Sequence, residues 1–248
     1  MTGHPPELAL VTGAAGGIGT ATCRAFLAAG FAVAGVDIEP TVATSPAPGD
    51  YVGVVADVRD PDSMRAAVGS LSRPVSHLVT CAGIALLAET VNDAGTGLPD
   101  VATFRESVDL NLTSHYISLD AVWPQLRDGS GNRSVGFASS INALQGFGMP
   151  AYSAAKAGLI GLVHALVVPL GRFGVRVNAV APGTVPTPGT RAEWAHVPSH
   201  FDDMAALVPL GTLGDPDDVA AAFLSLARDL THVSGQTIIV DGGQSLHR

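Results

Sequence analysis

Lysine is nearly absent from this chain: one Lys stands beside 12 Arg in 248 residues. Charged residues amount to 14% and aromatic residues to 5%, whereas 47% of the residues are hydrophobic. Disordered chains have the opposite balance, so intrinsic disorder is excluded. The formal net charge is −9 and the sequence shows no basic patch, which argues against a nucleic-acid-binding protein. We expect a globular protein that binds no nucleic acid.

The two cysteines, Cys23 and Cys81, are too few for a disulfide framework, and both lie in apolar segments. They are typical of small buried residues in a reducing compartment. The first residues show neither the basic nor the apolar region of a signal peptide. The most apolar stretch, 157–171, has 15 residues and includes His164 and Pro169, whereas a bilayer helix needs about 20. These features predict a soluble, cytoplasmic protein without a membrane partner.

Short apolar runs alternate with segments of helical periodicity along the whole chain. The runs predict strands at 8–11, 32–36, 51–55, 77–80, 135–138, 175–180 and 237–240. The periodic segments predict helices at 18–29, 61–71, 104 to about 126, 152–170 and 216–228. Such alternation is typical of βαβ units with a parallel sheet. We predict one α/β domain over 1–248, a doubly wound parallel sheet.

A glycine-rich turn follows the first predicted strand and opens the first predicted helix, with Gly13, Gly17 and Gly19 at its key positions. Glycines let the backbone approach a pyrophosphate closely, and the following helix offers free N–H groups and the positive end of its dipole. By itself such a turn is equally typical of a tight strand–helix connection. Its place in the chain favours a dinucleotide site.

Asp37 ends the second predicted strand, 18 positions after Gly19. A carboxylate there accepts hydrogen bonds from the adenosine ribose and repels a 2′-phosphate. Ile38 follows it, and Ala14 and Ala15 bring no positive charge to the turn. The pattern therefore predicts NAD rather than NADP, the alternative being a solvated Asp at a strand end.

Tyr152 and Lys156 are four residues apart in a predicted helix, so they share one face. A cation about 4 Å from the phenol, at an effective dielectric near 20, is worth roughly 4 kcal/mol. That would lower the phenol pKa by up to about three units from its ordinary value near 10, into the range of a general acid/base. A lone YxxxK is a common accident, but this one holds the only Lys of the chain, whose compact head differs from a guanidinium.

Together these motifs resemble the short-chain dehydrogenase/reductases, over residues 8–246. The resemblance implies a Rossmann fold with seven strands, a cofactor-binding half at about 8–140 and a catalytic and substrate-loop half at about 141–248. It implies four catalytic residues: Asn111, Ser139, Tyr152 and Lys156. The cofactor-binding residues that it implies are Gly13, Gly17, Ile18, Gly19, Asp37, Asp57, Val58, Ala82, Gly83, Tyr152, Lys156, Pro182, Gly183, Val185 and Thr187.

The catalytic serine of that family usually lies 13 residues before the tyrosine, which selects Ser139. The adjacent Ser140 is the alternative, because a one-residue deletion in the following loop would select it instead. The family's NNAG segment is here Thr80-Cys81-Ala82-Gly83. We expect this change to affect stability more than chemistry.

The resemblance implies an NAD-dependent oxidoreductase that interconverts a secondary alcohol and a ketone, with Tyr152 as general acid/base. Two alternatives remain open: an NADPH-dependent ketoreductase of the same family, and a non-catalytic cofactor-binding regulator. The sequence lacks the GxSxG elbow of a hydrolase, and its glycine-rich turn lacks the GK[ST] ending of a P-loop. The eight His show no metal-ligand spacing. No metal is therefore predicted.

The substrate and the assembly are predicted only in outline. Loop 184–210 is expected to line the pocket of a mostly apolar small molecule, together with Leu144, Gln145, Phe147 and Met149. The segment 157–171 is apolar all round, so more than one of its faces must be buried. With the family resemblance, this predicts a homotetramer.

Overall fold

The computed structural model describes residues 6–85, 98–145 and 148–246. Their centre is a seven-stranded parallel sheet in the order β3-β2-β1-β4-β5-β6-β7. The strands are β1 (Leu8–Thr12), β2 (Ala32–Asp37), β3 (Tyr51–Val55), β4 (Val75–Thr80), β5 (Arg133–Ala138), β6 (Val175–Pro182) and β7 (Thr237–Val240). Each predicted apolar run is a strand, and the doubly wound seven-stranded fold is confirmed.

Helices cover both faces of the sheet. They are α1 (Gly17–Ala28), α2 (Pro61–Gly69), α3 (Val101–Val108), α4 (Ser114–Asp128), α5 (Pro150–Gly171), α6 (Pro188–Glu193), α7 (His200–Ala206) and α8 (Pro216–Arg228). Short 3-10 turns lie at Pro40–Ala43, Ile141–Ala143 and Gln244–Leu246.

Two helical features differ from the sequence prediction. The long helix begins at Val101 rather than near residue 104, and a π-helical turn, Asp109–Thr113, separates α3 from α4. The segment expected to be a loop holds α6 and α7. Pro188 at the first turn of α6 and a reciprocal cap between Thr187 and Thr190 start that helix, both of which favour helix initiation.

The sheet separates two apolar cores. On one face, α4 and α5 contribute Leu126, Leu159 and Val163. On the other, α1 and α8 pack together through Phe26 and Phe223. The strand order reverses between β1 and β4, so the carboxyl ends of these strands border a crevice, where open α/β sheets bind their ligands.

Two arginines lie near the amino ends of β5 and β6, at the end of the sheet opposite the crevice. Arg133 donates to the carbonyl oxygens of Leu126 and Phe173, and Arg176 donates to those of Leu226 and Ala227. The guanidinium groups thus satisfy the carbonyls that α4 and α8 leave unpaired at their ends, where a positive charge is favourable.

Helix α5 is, by length and composition alone, able to span a membrane. It is longer than the 15-residue stretch considered in the sequence because it begins at Pro150. Here it lies against the sheet, with Leu159 and Val163 fully buried, while Val168 is 62% exposed. A core helix passes the same length and composition test.

Candidate active site

A cleft of about 590 Å³ opens at the carboxyl ends of the strands. It brings together most of the predicted site. The predicted residues on its lining are Gly13, Gly17, Ile18, Gly19, Gly83, Ser139, Tyr152, Lys156, Pro182, Gly183, Val185 and Thr187.

The three key glycines of the turn are packed too closely to carry a side chain. Gly13 has φ +68°, and a Cβ there would lie 2.6 Å from the Ala82 nitrogen. A Cβ on Gly17 would lie 2.7 Å from Thr187, and one on Gly19 would strike the Gly13 carbonyl. Helix α1 begins here without a side-chain cap and without an acidic residue in its first turn. This cradle fits an anionic group such as a pyrophosphate.

Asp37 is fixed directly beside the glycine turn. One carboxylate oxygen accepts the Ala15 N–H at 2.9 Å, and the other accepts the Glu39 N–H at 3.0 Å. The predicted strand-end carboxylate is therefore tied to the backbone that forms the cradle.

Four of the predicted cofactor residues are not on the lining of the cleft: Asp37, Asp57, Val58 and Ala82. Asp57 follows β3 and pairs with Arg59 at 3.0 Å. The hydrogen bond from Arg59 lowers the pKa of the Asp57 carboxyl. Asp37 ends β2, and Asp57 follows the neighbouring strand β3 by two residues.

Lys156, the only lysine of the chain, is buried, and only 3% of its surface is exposed. Its Nζ donates to the Ala138 carbonyl at 2.9 Å and lies 5.5 Å from the centroid of the Tyr152 ring. Burial lowers the pKa of Lys156 to about 7. The ammonium and the tyrosine ring are neighbours, as the i, i+4 spacing predicts.

Asn111 lies in the π-turn and is fully buried. Its Nδ2 donates to the carbonyls of Ile84 and Ser107 at 2.9 and 3.0 Å, whereas its Oδ1 has no hydrogen-bond partner among the described residues. A Cβ on Gly83 would lie 2.6 Å from Asn111 Oδ1 and 3.2 Å from Lys156 Nζ. Asn111 and Lys156 therefore border the same small space, and π-turns are frequent at functional sites.

The two candidate serines differ in their hydrogen bonds, although both line the cleft. The Ser139 hydroxyl is buried and donates to the backbone carbonyl of Lys156 at 2.9 Å. The Ser140 hydroxyl donates to Asn142 Oδ1 at 3.2 Å and accepts the Asn142 N–H, also at 3.2 Å, as the cap of the following 3-10 turn. Ser139 holds α5 to the end of β5, whereas the hydrogen bonds of Ser140 stay within its own short turn.

The far wall of the cleft comes from α6 and α7. Trp194 and His200 stack in parallel, with ring centroids 4.1 Å apart, and Phe201 continues the wall. Burial is the main cause that lowers the pKa of His200. Across the part of the chain that the structure describes, no three His, Cys, Asp or Glu side chains group as metal ligands.

The remaining pocket predictions have mixed outcomes. Met149 lines the cleft as expected, as do several residues of loop 184–210. Leu144 is 47% exposed, and neither it nor Gln145 is on the lining. Phe147 lies outside the described residues. The prediction missed Gln244, which lines the cleft from the C-terminal end of the chain.

Comparison with known proteins decides the family. A family model described as enoyl-(acyl carrier protein) reductase matches residues 13–245. The chain belongs to the short-chain dehydrogenase/reductase family. A solved short-chain dehydrogenase/reductase of Burkholderia thailandensis has a TM-score of 0.88 and 37% identity to this chain, covering 97% of it and 93% of that protein.

Two further short-chain dehydrogenase/reductases bear on the chemistry. The (3R)-3-hydroxyacyl-CoA dehydrogenase of Mus musculus is 34% identical, over 95% of each chain. A 3-oxoacyl-[acyl-carrier protein] reductase of Brucella melitensis, solved with bound NAD, has a TM-score of 0.85 and 29% identity, covering 97% of this chain and 91% of that one. As a member of this family, the protein is an oxidoreductase, and the cofactor of the family is a nicotinamide nucleotide.

Proposed function

We propose that this short-chain dehydrogenase/reductase interconverts a secondary alcohol and a ketone and that it uses NAD. The observation that carries the proposal is the buried Lys156 beside Tyr152, in a cleft that reaches the uncapped start of α1. When bound, the nicotinamide supplies the hydride chemistry, and the protein supplies binding, orientation and charge.

The cofactor roles follow the family motif, residue by residue. The glycine turn and Ile18 would hold the pyrophosphate, Asp37 the adenosine ribose, and Asp57 and Val58 the adenine side. Tyr152 and Lys156 would hold the nicotinamide ribose. The nicotinamide would lie against Ala82, Gly83 and the segment Pro182, Gly183, Val185 and Thr187.

Proton transfer is assigned to side chains of α5 and their neighbours. Tyr152 would exchange a proton with the substrate oxygen, and the charge of Lys156 would stabilise its phenolate. Asn111, whose buried Oδ1 borders the same space as Lys156 Nζ, would connect Lys156 to a water chain leading to solvent. A serine hydroxyl would donate to the substrate oxygen as its charge develops. The hydrogen bonds favour Ser140 for this role, whereas the spacing predicts Ser139.

The preference for NAD is supported by the position of Asp37. A phosphate on the adenosine ribose would have to lie beside this carboxylate, because backbone hydrogen bonds hold it at the glycine turn. An NADPH-dependent ketoreductase would have to tolerate that repulsion. A non-catalytic regulator would have no use for an intact set of Asn111, serine, Tyr152 and Lys156.

The proposal extends to the surroundings of the enzyme. The two cysteines are free, which fits a reducing cytoplasm. Exposed apolar side chains on α5 and β7 fit a homotetramer. A wall of Trp194, Phe201 and Met204 fits a mostly apolar small substrate.

The cofactor is tested by fluorescence titration with NADH and NADPH. Affinity for NADH should be at least about tenfold higher, which corresponds to about 1.4 kcal/mol. Asp37→Ala should narrow the difference, because it removes the repulsion of the 2′-phosphate. Equal affinities in the unaltered protein would contradict the NAD assignment.

The chemistry is tested with Tyr152→Phe, which keeps the ring and removes the exchangeable proton. With secondary alcohols as substrates, kcat should fall at least about a thousandfold, while NADH still binds. Adding Lys156→Met should cost little more, because the two residues act as one unit. A Tyr152→Phe enzyme that retained more than a tenth of kcat would remove Tyr152 from the catalytic role.

A further inference from the structure

The turn that follows β7 is held rigidly. The carboxylate of Asp241 accepts the N–H groups of Gly243 at 2.8 Å and Ser245 at 2.7 Å. Gly242 and Gly243 have φ of +61° and +90°, a region that favours glycine. Partial burial raises the pKa of Asp241, but its hydrogen bonds with Ser245 and Gly243 outweigh that, so its net pKa is lowered. Gln244, which follows Gly243, is thereby held in one position.

Both ends of the Gln244 carboxamide bind a single residue, Thr184, which is 60 positions away in the chain. Oε1 accepts the Thr184 backbone N–H at 2.9 Å, and Nε2 donates to Thr184 Oγ1 at 3.0 Å. Gln244 is only 3% exposed. The packing is close, because a Cβ on Gly183 would lie 2.8 Å from Gln244 Oε1. The carboxamide is therefore a buried two-point clamp on the segment after β6.

The same carboxamide also reaches the substrate side of the cleft. Its Nε2 lies 4.0 Å from Met204 Sδ, a weak acceptor. Met204 belongs to α7, whose His200 and Phe201 form part of the far wall. One side chain thus touches both the segment at the end of β6 and the helix of the opposite wall.

We infer that Gln244 is a positioning residue that holds residues 182–187, the segment that includes Thr184, in place beside the nicotinamide end of the cofactor. The inference rests on the proposed function, which places the nicotinamide beside this segment. Loss of the clamp leaves the partly buried Thr184 N–H without its protein partner, which is unfavourable. The segment then leaves its position more often, and fewer molecules are ready to receive the nicotinamide. The adenosine end of the cofactor is bound elsewhere and is unaffected.

The test compares NADH with ADP-ribose, which lacks the nicotinamide. Gln244→Met keeps the length of the side chain and removes both hydrogen bonds. The Kd for NADH should rise about tenfold, as expected for one lost buried partner, and the Kd for ADP-ribose should stay within about twofold. For alcohol oxidation the KM should rise, whereas the apparent pKa of the rate profile should not move, because Tyr152 and Lys156 are untouched.

Substitutions of Thr184 provide the matched controls. Thr184→Ser keeps the hydroxyl and should bind NADH like the unaltered protein. Thr184→Val loses one of the two bonds and should weaken NADH binding by less than Gln244→Met does. The double variant Gln244→Met/Thr184→Val should be no worse than Gln244→Met alone, since both act on one contact.

The outcomes separate the inference from the proposed function. Equal weakening of NADH and ADP-ribose in Gln244→Met would show a general structural role and overturn the inference. Unchanged binding of both ligands in Gln244→Met would overturn it as well. If the unaltered protein bound neither ligand, the proposed function itself would fail, and the inference would fail with it.

Discussion

Two adjacent serines at the end of β5 show how neighbouring residues of one type take different roles. The Ser139 hydroxyl donates to the Lys156 carbonyl, and the Ser140 hydroxyl donates to Asn142 Oδ1. We expect Ser140→Ala to lower kcat about a hundredfold, as the loss of one donor to a developing oxyanion does. Ser139→Ala should lower kcat by less and reduce the thermal stability more. Steady-state rates and melting curves of the two variants decide the question, and the reverse ranking would restore Ser139 as the catalytic serine.

The burial of Lys156 makes the stability of the fold depend on pH. Its pKa of about 7 in the folded protein lies below the ordinary 10.5, so the unfolded chain binds the proton more tightly. Between these two values the free energy of unfolding should rise with pH. Below about pH 7 both states carry the proton, and the full cost of a buried charge is present.

Lys156→Met should therefore raise the melting temperature of the cofactor-free protein at pH 6, and the difference should shrink towards pH 10. Differential scanning calorimetry across this range measures both curves. Burial raises the pKa of the Cys23 and Cys81 thiols to about 12, so neither thiol titrates appreciably between pH 6 and pH 10. A difference independent of pH would show that Lys156 carries no buried charge.

The sequence was sufficient for residues whose chemistry depends on spacing along one element. Tyr152 and Lys156 share a helix face because they are four apart, and the glycine turn is a continuous segment. Gln244 and the choice between the serines depend on contacts across 60 residues and on which way a hydroxyl turns. Spacing within the chain carries no information about the Gln244 contact, and it selects Ser139 without regard to the hydrogen bonds of either serine.

At the scale of elements, Gly158 of α5 packs closely on the π-turn. A Cβ on Gly158 would lie 2.8 Å from Leu112 Cδ2 in that turn. Gly158→Ala should therefore push the Leu112 side chain and strain the turn that carries Asn111, lowering kcat and the melting temperature together. Gly171, at the end of the same helix, has nothing within 4 Å of such a Cβ, so Gly171→Ala should leave kcat unchanged and should not lower the melting temperature. Rates and melting curves of the pair measure the effect, and equal results would show that Leu112 yields.

Strands were predictable because continuous apolar runs are what a sheet buried on both faces requires. The π-turn was not, since it is a change of hydrogen bonding over only five residues, too short a stretch to show a period of its own. Helices α6 and α7 were missed for another reason. They have six and seven residues and no fully buried side chain, so no apolar periodicity marks them.

At the scale of the whole molecule, large apolar side chains remain exposed on several elements, α5 and β7 among them. Val168 on α5 is 62% exposed, and Ile239 on β7 is 45% exposed. Exposed apolar patches mark interaction surfaces, and two different patches per chain suffice to build a tetramer from dimers. Light scattering at micromolar concentration should give four chains of 25.1 kDa.

A single charge introduced on α5 or on β7 tests whether that surface takes part in assembly. Val168→Glu and Ile239→Glu should each reduce the scattering mass to that of a dimer, because a buried unpaired carboxylate opposes association. Thr41→Glu is the control, since Thr41 is an exposed polar residue in the turn Pro40–Ala43, and it should leave the tetramer intact. A monomer at micromolar concentration in the unaltered protein would contradict the tetramer.

The burial of the single lysine also determines how the folded protein responds to reagents. An amine-selective ester or aldehyde meets no lysine on the outer surface, because the only side-chain amine is Lys156 within the cleft. Because burial lowers its pKa, a larger fraction of that amine is uncharged and nucleophilic in mildly alkaline buffer than of an exposed lysine. Lysine labelling, which ordinarily modifies many surface positions, here measures access to one internal position when the modified peptide is distinguished from the amino-terminal one.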